Sequence, residues 1–226
     1  DGYIKLDAVI AQLFASLDQQ VGKNNYTVFL TADHAVANIP DFSKKHKIPG
    51  GLISESGIKK ELGQLLLKQG LSDKLITAIN EYNIHFNHHI MDSLQVSQDK
   101  LSSLITNYLE QKSNILQEVE LRKAAIAPLP QSIRERIVNG FNPQRSGDLI
   151  FITKSGVVGG GNTGTGHGVF YNYDAHIPLL FYGKGIKKGQ VNNVNYMTDI
   201  APTITTLLGI QMPSGSIGKP ILEVIQ

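Results

Sequence analysis

Cysteine is absent from the 226 residues, which excludes disulfides and thiolate chemistry and leaves His, Asp and Glu as the strong metal ligands. Nor is there an apolar run of the ~18 residues a membrane helix needs, or a basic segment followed by an apolar one. As it stands, the sequence therefore reads as neither spanning a membrane nor carrying a targeting segment. An excess of charge of one sign is missing too. Lys and Arg number 21 against 19 Asp and Glu, and the net charge of +2 is spread evenly. So small an imbalance argues for neither a nucleic acid nor an anionic membrane surface as partner. No internal repeat or low-complexity tract occurs. The length suits one large α/β domain, or a domain with an appended lobe. Its first residue is Asp rather than Met, which reads as a chain trimmed from a longer one.

The stretch Tyr26–His34, YTVFLTADH, organises the rest. Tyr26 to Ala32 is mostly β-branched, aromatic or leucine, so it reads as a strand buried on both faces of a parallel sheet. Before it, Leu6, Val9, Ile10, Leu13, Phe14 and Leu17 recur at the three-and-four spacing of a helix with one buried stripe over Tyr3–Gln20. A polar, turn-rich loop follows His34. Helices are expected over Ser56–Lys68, with Ser56 as N-cap, and more weakly over Asp73–Tyr82. Further helices are expected over Ser97–Gln111, Pro130–Asn139 and Thr198–Leu208, the last capped by Thr198 and stopped at Gly209. Strands are expected over Tyr82–Ile90, within Leu116–Ile126, and over Asp148–Thr153, Pro178–Gly183 and Ile221–Ile225. The fold class is α/β, a central, mostly parallel sheet flanked by helices. Its core is assigned to residues 1–40 and 148–226, with 41–147 as an inserted α+β lobe.

Three places could carry chemistry. Asp33 and His34 stand just past an uncharged strand, where open α/β sheets gather their functional groups, and a carboxylate beside an imidazole suits Zn²⁺. A solvated loop is the bland alternative. Glycines crowd around one histidine in Gly159–Gly168. A phosphate-cradling loop would need Gly-Lys-Ser/Thr opening a helix, and no lysine follows here. The glycines instead suggest an unusual backbone that lets the His167 imidazole project. His85, His88 and His89 invite a metal reading, but on a strand the spacing of His85 and His89 separates them, and a structural role is preferred.

Taken together, TADH at 31–34, RSGDLIF at 145–151, GHG at 166–168 with YNYDAHIPLLFYG at 171–183, and MTDIAPTITTLLGI at 197–210 resemble the alkaline phosphatase superfamily. The resemblance is nearest to phosphate-irrepressible alkaline phosphatases and the type I phosphodiesterase/nucleotide pyrophosphatases. It implies a fold carrying two Zn²⁺ ions, with Asp33 and His34 on one and His167 on the other, and Asp174 and His176 as supports behind those ligands. The substrate it implies is a small-molecule phosphate ester, hydrolysed through a covalent phospho-Ser/Thr intermediate, in the periplasm or outside the cell.

The same resemblance marks what this sequence does not supply. The family's Asp ligand, its Ser or Thr nucleophile and its Asp-x-x-x-His pair have no match, and Ala35 stands where the family usually has Gly. No catalytic nucleophile is therefore assigned. The expectation is a carboxyl-terminal part of a zinc-dependent phosphomonoesterase, whose partner is the remaining amino-terminal part of the same protein. Its zinc sites would be incomplete and the part inactive alone. A phosphodiesterase, a nucleotide pyrophosphatase or a sulfatase of the same superfamily is the nearer alternative, and a non-enzymatic binding module the more distant one.

Overall fold

A computed structural model describes residues 1–225. Its first elements in chain order are α1 (Gly2–Gln20), β1 (Thr27–Thr31), α2 (Pro40–Lys45), β2 (Gly51–Leu52), α3 (Glu55–Lys68), β3 (Ile76–Asn80), β4 (Asn83–Phe86) and α4 (His88–Ser93). There follow α5 (Gln98–Leu109), β5 (Ile115–Glu120), α6 (Gln131–Gly140), β6 (Leu149–Thr153), β7 (Val157–Val158), α7 (Asn172–Ala175), β8 (Leu179–Gly183) and α8 (Ile200–Leu208). The chain divides into two compact units, Asp33–Ile177 and Asp1–Ala32 with Pro178–Gln226.

The unit Asp33–Ile177 is built on four antiparallel strands in the order β3-β4-β6-β5. All five residues of β6 are buried, as its sequence LIFIT demands, because β6 has a strand on each side and side chains covering both faces. Leu62 and Leu66 of α3 and Leu101, Ile105 and Leu109 of α5 enter the same core cluster as Ile84, Leu149 and Phe151. The sequence groups Asp148–Thr153 with residues 1–40, whereas its hydrogen-bonded neighbours lie within 83–120. A short parallel pair, β2 with β7, completes this unit.

Several local expectations change here for physical reasons. The helix expected over Asp73–Tyr82 is a single 3-10 turn, Asp73–Leu75, followed by β3. Glu81 and Tyr82, both at positive φ (49° and 65°), form the tight two-residue connection to β4. That geometry matches the twist of a hairpin but ordinarily uses Asn or Gly, so Glu81-Tyr82 carries no turn signature. The α3 cap is Ser54, whose hydroxyl accepts from the Gly57 N–H at 3.0 Å, two residues before the Ser56 expected. Asn87 caps α4, which takes His88 and His89 out of the expected strand.

In the other unit, β1 pairs with β8 and the pair is antiparallel. With this one partner strand, β1 is exposed or half-buried along its length rather than buried on both faces. No residue of α1 is buried, and Leu6, Val9 and Leu13 of its expected core stripe lie open at 47%, 59% and 49%. Phe14 is the contact that holds, stacked on Tyr182 with ring centroids 4.9 Å apart. The Tyr26 hydroxyl donates to Asp18 Oδ1 at 2.8 Å. At the other end, α8 stops at Gly209 in the left-handed conformation, as its sequence predicts. Thr198 is not its cap, because Met197–Asp199 form a 3-10 turn. Nor do Ile221–Ile225 form a strand, since Leu222–Val224 also coil into a 3-10 turn.

Two outcomes test this packing. Phe151→Ala should cost about 3–5 kcal/mol in denaturant unfolding, and Leu6→Ala within about 0.5 kcal/mol. The hydrogen bond to Asp18 holds the Tyr26 phenol neutral and raises its pKa from 10.0 to about 12. Because the folded value is raised, this contribution to stability is complete below pH 10 and is lost as pH rises through 12. Phenolate absorbance should place Tyr26 well above the free phenol, and Asp18→Asn should bring it back down.

Candidate functional site

Asp33, His34 and His167 all lie in the unit Asp33–Ile177, although 132 residues separate the two histidines. Their imidazole rings stack, with centroids 3.6 Å apart and planes inclined by 12°. Two segments bring them together. Ala35 donates its N–H to the Asp174 carbonyl at 2.8 Å, Ala37 donates to the Gly166 carbonyl at 3.2 Å, and the Thr165 hydroxyl donates to the Ala37 carbonyl. Asp41 N–H to Asn162 O, at 3.2 Å, extends the seam.

The glycines around His167 do what their density suggested. Gly168 sits at φ 89°, a conformation that strains any residue with a Cβ. At Gly166 a Cβ would come within 2.5 Å of the Gly159 carbonyl, so only a bare backbone passes there. Tyrosines pin the loop from below. Tyr82, Tyr171 and Tyr173 respectively accept from Gly159 N–H, donate to the Thr153 carbonyl, and accept from Gly156 N–H. Burial pushes the phenols of Tyr82 and Tyr171 above their usual range, so both stay neutral hydrogen-bonding groups at ordinary pH.

Asp174 is buried and touches both segments. Its carbonyl takes the Ala35 N–H, while its carboxylate Oδ2 accepts from Val169 N–H at 2.6 Å, two residues after His167. The other carboxylate oxygen, Oδ1, is buried without a partner. His176 behaves differently. It is exposed, its backbone N–H closes the single turn of α7 on Asn172, and its ring makes no contact with His34 or His167 among the described residues. Thr165, Tyr171 and Tyr173 escaped the sequence reading, although the alternation in YNYD was a sign that two aromatics share a side.

The chemistry of the site follows from its protons. His34 Nδ1 lies 2.7 Å from the Ala35 carbonyl, which can only accept, so the proton of the neutral ring sits on Nδ1. Nε2 then keeps its lone pair, 3.8 Å from Asp33 Oδ2. Tetrahedral zinc about 2.0 Å from each would need these atoms roughly 3.3 Å apart, a closure the exposed Asp33 side chain is free to make. Asp33 itself is open to solvent, with its side chain 89% exposed. Among the described residues, no three His, Asp or Glu side chains converge to hold a single ion.

Comparison with known proteins places the chain in a family. Residues 1–173 match the family model described as type I phosphodiesterase / nucleotide pyrophosphatase. The chain is 40% identical over its whole length to alkaline phosphatase PafA of Elizabethkingia meningoseptica, of which it covers 41%. It is 39% identical, again over its whole length, to a protein of Myroides odoratus named calcium-transporting ATPase, covering 42% of that protein. The crystal structure of wild-type PafA superposes with a TM-score of 0.93, covering 99% of this chain and 43% of the solved one. The chain thus spans about two fifths of the length of the relatives it matches.

Removing the carboxylate in Asp174→Ala leaves the Val169 N–H without its acceptor and should cost about 1–3 kcal/mol in denaturant unfolding. His167→Ala should shift the ring-proton resonances of His34, because the stacked ring that shields them is gone. His176→Ala should leave those resonances in place.

Proposed function

The chain belongs to the type I phosphodiesterase / nucleotide pyrophosphatase family, within the alkaline phosphatase superfamily, and on that premise we propose that a protein carrying it hydrolyses phosphate esters. The observation that carries the reading is the stack of His34 on His167 beside Asp33, because those are the residues the superfamily resemblance selects as ligands. Parallel rings 3.6 Å apart cannot both aim their lone pairs head-on at one ion. Side by side they suit two ions, whose separation in two-metal hydrolases is about 3.5–4 Å. This favours the division of Asp33 and His34 onto one zinc and His167 onto the other.

Bound zinc would supply Lewis-acid stabilisation of the charge on the transferring phosphoryl group. The residues of this chain hold and orient. The Ala35 carbonyl fixes the His34 ring through Nδ1–H, Asp33 adds a carboxylate at the open side, and Asp174 holds the backbone behind both imidazoles in register. Attack on phosphorus, through a covalent phospho-Ser/Thr intermediate, requires a nucleophile that this chain does not supply. With two protein ligands for one ion and one for the other, the donor set falls short of the three usual in catalytic zinc. The chain alone is therefore inactive and holds zinc weakly.

Calorimetric titration with Zn²⁺ and an aryl phosphate assay on the isolated chain test this directly. Submicromolar binding or sustained turnover by the chain alone would contradict it. In a protein that also carries the nucleophile, Asp174→Ala should lower metal affinity or turnover about 10–100-fold. The family's description names diesterases, so the same preparation should be offered an aryl phosphate and a bis-aryl phosphate, and the faster one identifies the preferred ester.

A further inference from the structure

Three of the four arginines, Arg122, Arg136 and Arg145, line two adjoining cavities of about 200 and 350 Å³ beside β4 and β6. The cavities share His85, Phe141, Ser146 and Gly147, and neither is lined by Asp33, His34 or His167. Sheet register explains the larger one. Asn83 of β4 pairs with Ile150 of β6 and both line it, so neighbouring residues of this strand pair form its floor. Ile137 of α6 and Phe170 add apolar walls, which leaves the guanidinium groups around an apolar base.

Those guanidiniums carry no ion pair among the described residues, although the Glu81 carboxylate lines the larger cavity with Arg136 and Arg145. Among the described residues, every ion pair within 4.0 Å uses Lys or His, and no arginine has a carboxylate partner. The fourth, Arg134, caps the Ala127 and Leu129 carbonyls at 3.4 and 3.3 Å. Arg136 spends one N–H on the Phe170 carbonyl at 2.9 Å, which fixes the group without balancing its charge. The acids in the lining are Glu81 and Asp148, and Asp148 is already occupied by the Phe86 N–H at 2.8 Å and His88 Nε2 at 2.9 Å. The turn presenting Arg145 is set in advance. Asn142 N–H donates to the Ser146 hydroxyl and Gln144 N–H to Asn142 Oδ1, both at 2.9 Å. At Gly147 a Cβ would meet the Ile84 carbonyl at 2.7 Å, so the loop lies close against β4.

We propose that this groove is a binding site for a small organic anion, with its phosphate, phosphonate or carboxylate held by Arg136 and Arg145 and its apolar body on Ile137, Ile150 and Phe170. A planar guanidinium fork matches those anions in geometry as well as charge, and Asn80, Asn83, His85 and Ser146 in the same lining can add hydrogen bonds beside its apolar walls.

Phenylphosphonate, which has the anion and the ring but no ester to hydrolyse, is the probe. It is titrated against the intact chain and against a chain with Asp33→Ala, His34→Ala and His167→Ala, following the methyl resonances of Ile137 and Ile150. Saturable shifts of both methyls in both proteins are expected. Binding should weaken about tenfold or more in Arg136→Ala/Arg145→Ala, or about 1.4 kcal/mol, while thermal unfolding of that variant shows it still folded. Arg136→Lys, which keeps the charge and loses the fork, should weaken binding partly. Absence of saturable binding, or binding abolished by the histidine substitutions and indifferent to the arginine pair, would overturn the proposal. Neither result bears on ester hydrolysis, since the site proposed for that contains none of these arginines.

Discussion

A seam of backbone hydrogen bonds between residues 35–41 and 162–174 governs everything the two stacked imidazoles can do. The segments are some 130 residues apart, and closing a loop of that length costs entropy that grows only slowly with length but must still be repaid. The repayment is local and specific: three main-chain bonds, the Thr165 hydroxyl on the Ala37 carbonyl, and Asp174, which grips one segment through its carbonyl and the other through its carboxylate. Ala37 is buried and Ala35 half-buried, and amides withdrawn from water are costly to leave without acceptors, so these two bonds favour one register. That register decides which face of each histidine meets the other.

The four-stranded antiparallel sheet is the rigid body behind this seam. β6 lies in its interior with every residue buried, and the turn after it carries the Gly156 amide that Tyr173 anchors. Two glycines flank the His167 imidazole. Gly166 passes too close to the Gly159 carbonyl for any side chain, and Gly168 takes a backbone angle that others avoid. Between them, His167 is the one residue of the triplet with a side chain to offer.

Much of this was legible in the sequence because the physics was local. Unbroken apolar runs marked β6 and β8, three-and-four spacing marked α1, α3 and α5, and Gly209 marked the end of α8. The candidate ligands Asp33, His34 and His167 stood out because their residue types, placed beside a strand end and within a glycine cluster, narrow the chemistry. What could not be read was pairing. Nothing in Val28–Leu30 says that β1 meets β8 antiparallel with both faces partly open, since burial belongs to the neighbours rather than to the strand. The β3–β4 hairpin was hidden for a related reason, because its turn uses Glu81 and Tyr82 at positive φ where sequence rules look for Asn and Gly. Asp174 was noticed from the family resemblance, but its bridging of two distant segments is visible only in three dimensions.

Side-by-side imidazoles, rather than convergent ones, are the geometric core of the functional reading. Anomalous diffraction at the zinc edge, from crystals of a protein that carries this chain and its nucleophile, measures that geometry most directly. Two peaks about 3.5–4 Å apart are expected, one against Asp33 and His34 and the other against His167. A single peak shared by both rings, or zinc bound away from all three residues, would contradict it.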